Sequence, residues 1–159
     1  MLRYALLVLM VVAPMAASSA QDAAKIELRG NVVTAASLTM ESLSKLPRVE
    51  EEIAFQTSKG EEKGRYAGVM LWDLLQENGL KKLEGHKILE HDFAVTGRDG
   101  YKILFSLGEI APDFGNTQIL LAYERDGKSL LPGDGFRVVV PGDQRGARAV
   151  KDVVGIDVQ

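Results

Sequence analysis

Apolar and polar residues alternate with a period of two along most of the chain after residue 24, which is typical of half-buried β-strands. The segments with this pattern are "KIELRGNVVTA", "EEIAFQTS", "HKILEHDFAVTG", "YKILFS", "QILLAYE", "FRVVVP" and "VVGIDV". Gly30 interrupts the first of them and indicates a bulge or bend. The polar stretch "KGEEKG" is predicted to be a loop, and "GRDG" and "RDGK" have the composition of turns between strands.

A helical period appears in only a few short segments. In "LTMESLSKLP", Thr39 is placed to cap a short helix and Pro47 to end it. In "RYAGVMLWDLLQENGL", Leu71, Leu74 and Leu75 share one face of a predicted helix. The segment "LGEIAP" predicts one further helical turn. Strands therefore dominate with two or three short helices between them, which favours a single α+β domain.

The first twenty residues have the pattern of an export signal. Arg3 precedes a short apolar run at residues 5–12, and Ser18 and Ala20 provide small residues before a cut at Gln21. The apolar run is shorter than a membrane-spanning helix, although an uncleaved membrane anchor is the alternative. We therefore predict a cleaved signal peptide at residues 1–20, a single domain at residues 21–159 and, in a bacterium, a periplasmic location.

Composition excludes several classes of function. The chain of 159 residues is 46% hydrophobic and carries a formal net charge of −3, so it lacks the basic excess of a nucleic-acid-binding protein. It has no cysteine, which excludes disulfides, thiolate nucleophiles and cysteine-ligated metal sites. An exported protein of this composition must rely on its apolar core for stability.

Common catalytic motifs are missing from the sequence. The "GKS" at residues 127–129 would end a phosphate-binding loop only if a glycine stood at Ala122. The two histidines, His86 and His91, are five residues apart on a predicted loop and strand, so they are expected to face different ways. The acidic run at residues 50–52 is predicted to be a solvated start of a strand. Local patterns therefore identify no catalyst.

The glycine-containing segment "PGDQRGARAVK" is the strongest candidate for binding chemistry. It carries Arg145, Arg148 and Lys151, and Arg137 lies in the apolar strand before it. Turns with glycine can direct successive backbone N–H groups toward an anion, and arginine and lysine add charge-assisted hydrogen bonds. A turn with ordinary solvated cations has the same residues. Both interpretations stay open on these residues alone.

The order of several segments resembles a known family. "LLAYERDGKSLLPGDGFRVVVPGDQRGARAVKDVVGIDV" is similar to the end of the molybdopterin-binding domain of the sulfite oxidase family, and "RYAGVMLWDLL", "GRDGYKILFSLGEI" and "LRGNVVTAASLTMESLSKLP" resemble its earlier segments. The resemblance covers essentially the whole chain after the predicted signal peptide. It implies a sulfite-oxidase-type α+β fold, with mixed sheets, a few short helices and a pterin pocket.

The resemblance also implies a set of site residues. Those it assigns to pterin binding in the C-terminal part are Arg137, Asp143, Gln144, Arg145, Arg148 and Lys151. Thr57 stands near the position of the family's catalytic cysteine. Trp72, the only tryptophan, offers a ring face for stacking on a heterocycle, with a place at the edge of the core as the alternative.

Departures from the family pattern shape the expected function. The missing thiol removes a soft metal ligand, and Ala149 and Asp152 replace a serine and a tryptophan of the family's last motif. We therefore expect a pterin as ligand, no bound molybdenum and no catalysis. The resemblance to small periplasmic pterin-binding proteins implies a sensor that signals to the periplasmic domain of an inner-membrane protein, including those that control cyclic di-GMP.

Two other functions stay open. One is a molybdopterin-dependent oxidoreductase, or a subunit of one, that lacks the cysteine ligand. The other is a protein–protein interaction domain that keeps only the fold.

Overall fold

A computed structural model describes residues 24–80, 85–131 and 133–159, so the predicted signal peptide lies outside the described residues. Ten strands lie within those ranges: β1 Ile26–Gly30, β2 Ala36–Leu38, β3 Val49–Thr57, β4 Gly60–Met70, β5 Asp92–Gly97, β6 Lys102–Ser106, β7 Leu120–Arg125, β8 Lys128–Ser129, β9 Arg137–Val139 and β10 Val153–Val158. The helices are α1 Met40–Leu43, α2 Leu71–Glu77 and α3 Leu107–Ile110, with 3₁₀ turns at Gly85–Glu90 and Gly146–Arg148. Within these ranges, no helix has the length and apolar character needed to span a bilayer.

The strands form two sheets. The first has the order β2-β1-β10-β5-β6, in which β1 and β10 run parallel and the other neighbours run antiparallel. The second has the order β3-β4-β7-β8, and β9 pairs with β7 beside β8. Both sheets combine strands from distant parts of the chain. In the first sheet β10 lies between β1 and β5, and in the second β7 lies beside β4. The mixed sheets and short helices confirm the predicted α+β class.

The second sheet has apolar residues packed on both faces. The larger core cluster includes Val69, Leu121 and Val138 together with the inner faces of α2 and of the first sheet. A smaller cluster on the opposite face includes Tyr66 and Val139. Because side chains alternate along a strand, β9 directs Val138 to the larger cluster and Arg137 and Val139 to the smaller one. This alternation places the arginine beside the smaller cluster.

The first helix begins as the sequence predicts and ends earlier. Thr39 is its N-cap, and its side-chain oxygen accepts a hydrogen bond from the backbone N–H of Ser42 at 3.4 Å. Leu43 is buried and is the last residue of the helix, so the chain leaves the helical conformation before it reaches Pro47. One turn suffices here because Leu43 already anchors the segment to the core.

One segment that is predicted to be a loop is a strand instead. Residues 60–64 of "KGEEKG" and the "RYAG" before the predicted helix belong to β4, which pairs with β3 along the whole length of β3, from Gly60 opposite Thr57 to Gly68 opposite Val49. Gly60 has φ 112°, which only glycine adopts readily, and it allows the tight turn that joins the two strands. The outer part of β4 carries polar residues on both faces, since its inward face contacts Arg125 and Arg137 through Glu62, so it lacks the apolar–polar alternation of a typical half-buried strand.

A second prediction is also wrong. The segment "HKILE" begins no strand, and residues 86–90 belong to the 3₁₀ turn Gly85–Glu90. Ile88 is buried in this turn while Leu89 is 46% exposed. The strand β5 begins only at Asp92. A single buried residue in a tight turn gives the same short apolar pattern as the start of a strand.

Candidate functional site

An open cavity of about 470 Å³ lies where the β3–β4 turn, β9 and the segment after Gly146–Arg148 meet. The β5–β6 hairpin of the other sheet closes one side with Asp99 and Tyr101. The remaining lining residues are Phe55, Thr57, Ser58, Lys59, Gly60, Glu61, Glu62, Arg137, Gly146, Ala149 and Lys151. The fold therefore brings together three of the predicted site residues: Thr57, Arg137 and Lys151.

Arg137 is the most buried charged residue described, with 2% of its surface exposed. Its Nη1 and Nη2 donate to the two carboxylate oxygens of Glu62, and Nη1 also donates to the Tyr66 hydroxyl at 3.1 Å. The guanidinium carbon lies 5.6 Å from the centre of the Phe55 ring and 5.5 Å from that of Tyr66. This arginine is held by a bidentate ion pair and two aromatic rings, and only its Nε lacks a hydrogen-bond partner.

Strand geometry explains why these groups meet. Glu62 and Tyr66 are four residues apart on β4 and therefore share a face, and Phe55 lies opposite Glu62 in the register of β3. Gly64 lies between them on the same face, and the side chain of Arg125 crosses it to reach Glu62 at 3.1 Å. Two arginines thus share one carboxylate. The register of the β4–β7 pair then shifts between Ala67 and Gly68, where β7 carries the extra residue Tyr123.

This network changes the pKa values of its members. Burial alone would raise the pKa of Glu62, but the hydrogen bonds from Arg137 and Tyr66 and the charge of Arg137 outweigh it and lower the pKa to about 2. Burial, together with the hydrogen bond to Glu62, raises the pKa of Tyr66 to about 12. Glu62 is therefore ionised and Tyr66 is a neutral donor across the physiological range.

The lowered pKa of Glu62 predicts a loss of stability in acid. A carboxyl whose pKa falls from 4.5 to about 2 on folding stabilises the protein above pH 4.5, and this contribution disappears as the pH falls toward 2. It amounts to at most about 3 kcal/mol. Urea unfolding of the wild type and of Glu62→Gln between about pH 7 and pH 2.5 measures it. The wild type should lose its advantage over the variant in this window; a constant difference would contradict the prediction.

Arg148, which the family resemblance assigns to the pterin, uses its hydrogen-bond donors within the protein. Its Nε and Nη2 donate to both carboxylate oxygens of Asp143 at 2.9 and 2.6 Å, and Nη1 donates to Glu109 of α3 at 2.7 Å. The hydrogen bond to Asp143 is the main cause that raises the pKa of Arg148 further above its usual value. The guanidinium also lies over the Phe105 ring at 5.5 Å. Arg148 and Asp143 therefore fasten the C-terminal loop to α3.

This fastening predicts a structural effect for Arg148→Ala. The variant loses charge-assisted hydrogen bonds to two carboxylates, and we expect the free energy of unfolding to fall by about 1–2 kcal/mol. Denaturation in urea checks the value. Arg145→Ala is the matched control in the same loop, because that side chain is exposed and makes no ion pair among the described residues. Equal effects of the two substitutions would contradict the structural role.

The other predicted residues of the loop contact the β3 edge. The backbone N–H of Gln56 donates to the carbonyl oxygen of Gln144 at 2.9 Å, and Arg145 forms an isolated parallel bridge with Gln56. Thr57 itself is engaged in the β3–β4 turn: its hydroxyl donates to the carbonyl of Gly60 at 2.8 Å and accepts from the N–H of Lys59 at 3.1 Å. The turn therefore uses the oxygen of Thr57.

Trp72 lies elsewhere. It packs against the larger core cluster and lines a separate cavity of about 150 Å³ with Met70 and Ile119, away from Arg137. The sequence leaves open whether Trp72 stacks on a ligand or lies at the edge of the core. The structure places it at the edge of the core.

Several lining residues were not expected from the sequence. Glu62 falls in a segment that the sequence predicts to be a loop, and nothing local marks it as the partner of an arginine 75 residues further on. Tyr101 reaches the site because its hydroxyl donates to the carbonyl of Ala147 at 2.7 Å, which joins the β5–β6 hairpin to the C-terminal loop. One signal was available: Glu62 and Tyr66 share a face if "KGEEKGRY" is read as a strand.

The histidines take no part in this site. The Nδ1 of His91 lies 2.7 Å from the carbonyl oxygen of Gln159, and the ring of His86 lies 6.3 Å from that of Phe114. Across residues 24–80, 85–131 and 133–159, no group of three or more histidine and acidic side chains is arranged to hold a metal ion.

Comparison with known proteins places the chain in a family. The sequence model of the oxidoreductase molybdopterin-binding domain matches residues 13–159. The chain belongs to the oxidoreductase molybdopterin-binding domain family. No protein of curated function matches the sequence significantly. The resemblance to the sulfite oxidase family is thereby confirmed.

A solved structure shares the fold of this family member. The crystal structure of the sulfane dehydrogenase SoxCD from Paracoccus pantotrophus superimposes with a TM-score of 0.67 at 22% sequence identity. The match covers 84% of this chain and 37% of the SoxCD chain. The chain thus spans little more than a third of the protein it superimposes on, and the likeness shows the fold: a sulfite-oxidase-type molybdopterin-binding domain.

Family membership corrects one expectation. The prediction that no molybdenum is bound is wrong as drawn from the missing cysteine, because the chain belongs to a family defined by molybdopterin binding in oxidoreductases. A missing protein thiolate removes one ligand of the metal, and the dithiolene of the pterin is a separate source of soft sulfur ligands.

The residues present fit a pterin cofactor. The cavity volume of about 470 Å³ lies within the range of small-molecule sites. Its wall offers the ammonium groups of Lys59 and Lys151 and the hydroxyl of Ser58, while the Nε of buried Arg137 has no protein acceptor. A polar wall with an unpartnered donor suits a ligand rich in ring nitrogens and carbonyl oxygens.

Proposed function

We propose that this chain is the molybdopterin-holding domain of an oxidoreductase and that the cavity beside Arg137 receives the cofactor. The observation that supports the proposal is the meeting of Thr57, Arg137 and Lys151 in one cavity of suitable size. These residues come from three separate segments, each of which the family resemblance assigns to the site. That the chain works as part of an oxidoreductase, with a substrate of its own, is also part of this proposal.

Each part of the wall has a role in this proposal. Lys151 and Lys59 are exposed at the cavity and provide positive charge for a phosphate group. The ring of Tyr101, 46% exposed, offers an apolar face to a flat heterocycle. Gly146 lies against the Phe55 ring so closely that a Cβ atom would be 2.6 Å from it, which leaves this side of the cavity without a side chain. When bound, the cofactor supplies the redox chemistry, and the chain binds and orients it.

A second candidate function is a pterin sensor that signals to an inner-membrane partner. The observation behind it is that Thr57, near the family's cysteine position, uses its hydroxyl within the turn. Export through the predicted signal peptide, the periplasmic location and the signalling partner all belong to this proposal. An N-terminal sequence that begins at Gln21 would support export.

Native mass spectrometry and metal analysis distinguish the two functions. The protein is purified from a host that makes molybdopterin, and molybdenum is measured per chain. About one molybdopterin and one molybdenum per chain supports the oxidoreductase domain. A bound pterin other than molybdopterin supports the sensor, and a protein that carries no pterin contradicts both.

A matched pair of variants tests whether the cavity is the binding site. Lys151→Ala removes a cation from the cavity wall, whereas Lys128→Ala removes an exposed cation from β8, outside the cavity. We expect the first variant to bind the cofactor severalfold more weakly than the wild type and the second to bind it equally well. Equal retention by both variants would place the cofactor elsewhere.

A further inference from the structure

The charge of Arg137 is already neutralised inside the protein. Glu62 accepts hydrogen bonds from both terminal nitrogens of the guanidinium, and Tyr66 accepts one more from Nη1. The rings of Phe55 and Tyr66 have their centres 5.6 and 5.5 Å from the guanidinium carbon, and Arg137 is 2% exposed. The fork of two donors with which an arginine normally holds a phosphate is therefore occupied.

The remaining charges of the wall balance one another. Lys59 and Lys151 are exposed and make no ion pair among the described residues, while Glu61 and Asp99 line the same cavity. Exposed charges of opposite sign at such a surface contribute about 1 kcal/mol or less each. The cavity therefore lacks a buried, uncompensated cation of the kind that gives strong selection for a phosphate.

We propose that Glu62 determines the ligand preference of this cavity: by pairing with Arg137 it makes the site select the pterin ring and discriminate little between phosphorylated and unphosphorylated pterins. The inference rests on the proposed pterin binding and goes further, because it names the class of ligand and the residue that sets it. Glu62 acts through Arg137 and is a positioning residue.

The unpaired Nε of Arg137 is consistent with a preference for the pterin ring. Nε of Arg137 is buried without a protein partner and offers a single hydrogen bond. A single donor suits a neutral acceptor, such as a ring nitrogen or carbonyl oxygen of a pterin, better than a phosphate that needs two. The Coulombic influence of Lys151 also contributes to keeping Glu62 ionised, so the pair persists at neutral pH.

Binding of two probes tests the inference on the full chain. Neopterin and neopterin monophosphate share the ring and differ in the phosphate, and isothermal titration calorimetry gives the dissociation constant of each. For the wild type we expect the two constants to agree within about threefold, since only exposed lysines meet the phosphate. A preference for the monophosphate of more than about tenfold would overturn the inference.

Glu62→Gln isolates the cause. The glutamine keeps the shape and one acceptor but releases the charge of Arg137, so the monophosphate should gain about tenfold in affinity relative to neopterin. Glu61→Gln is the matched control: it removes the same charge from the same cavity and leaves the pair of Glu62 with Arg137 intact. Equal gains in the two variants would assign the effect to net charge and would overturn the role of Glu62.

The outcomes separate this inference from the proposed function. If molybdopterin binds but the wild type strongly prefers the phosphorylated probe, or takes up neither probe, the inference fails and the proposed function stands. If neither probe nor molybdopterin binds, both fail. Should Glu62→Gln not fold, the ratio of the two constants in the wild type decides the matter.

Discussion

Replacing Glu62 by alanine should lower the free energy of unfolding by about 3–5 kcal/mol. The substitution leaves Arg137, which is 2% exposed, without its bidentate carboxylate and with only the Tyr66 hydroxyl as a hydrogen-bond acceptor. It also removes the carboxylate to which Arg125 donates at 3.1 Å. A buried charge without a counterion is among the largest single losses that a point substitution causes. Urea denaturation at neutral pH measures the change.

Two further variants separate this effect from a general loss of charge. Glu61→Ala removes a neighbouring, exposed carboxylate and should change stability by less than about 0.5 kcal/mol. The double variant Glu62→Leu with Arg137→Met replaces both charges by apolar groups and should recover much of the loss, because no buried ion remains. A double variant that is as unstable as Glu62→Ala would show that the ion pair is not the cause.

Replacing Gly68 by alanine should lower the free energy of unfolding by at least about 3 kcal/mol and can prevent folding. A Cβ atom at this position would lie 2.0 Å from the carbonyl oxygen of Leu121 and 2.7 Å from the Cα of Ala122, both in the backbone of β7. Gly68 pairs with Ala122 directly after the point at which the register of the β4–β7 pair shifts. Because both contacts are backbone atoms in the middle of a sheet, no side-chain rotation relieves them.

Gly155→Ala is the matched control for this prediction. Gly155 also lies in a central strand, but the nearest atom to its added Cβ would be the Cβ of Thr96 at 3.9 Å, which is an ordinary contact. This variant should be neutral or slightly more stable than the wild type, since alanine restricts the unfolded chain. Thermal and urea denaturation of the pair give the comparison. If the two variants are equally unstable, close backbone approach at Gly68 is not the reason.

Much of the fold could be predicted from the pattern of residues. The segments that form β5, β7, β9 and β10 have one or both faces buried, so their apolar residues identify them as strands in the sequence. The cap at Thr39 is also local, since its partner Ser42 is three residues away. The strand β3 was predicted from its alternating pattern, whereas the outer part of β4 escaped prediction because it carries polar residues on both faces.

The candidate site was predicted only in part, and the reason is the range of its contacts. The sequence marks arginines and lysines near the C-terminus as anion-binding candidates, but their chemical availability depends on their partners. Arg148 is paired with Asp143 five residues away and with Glu109 on another helix. Arg137 is paired with Glu62 from a different strand. No local sequence pattern distinguishes these arginines, which are paired with carboxylates, from the exposed Lys151.

The sequence by itself determined the family, the α+β class and the segments from which the cavity is built, because these depend on the order of residues and on periodic burial. The tertiary structure alone decided which charges of the site remain available. Strand register places Glu62 opposite Phe55 and within reach of Arg137, and burial then makes that pairing nearly obligatory. A buried arginine in the wall of a cavity requires a counterion, and here Glu62 provides it.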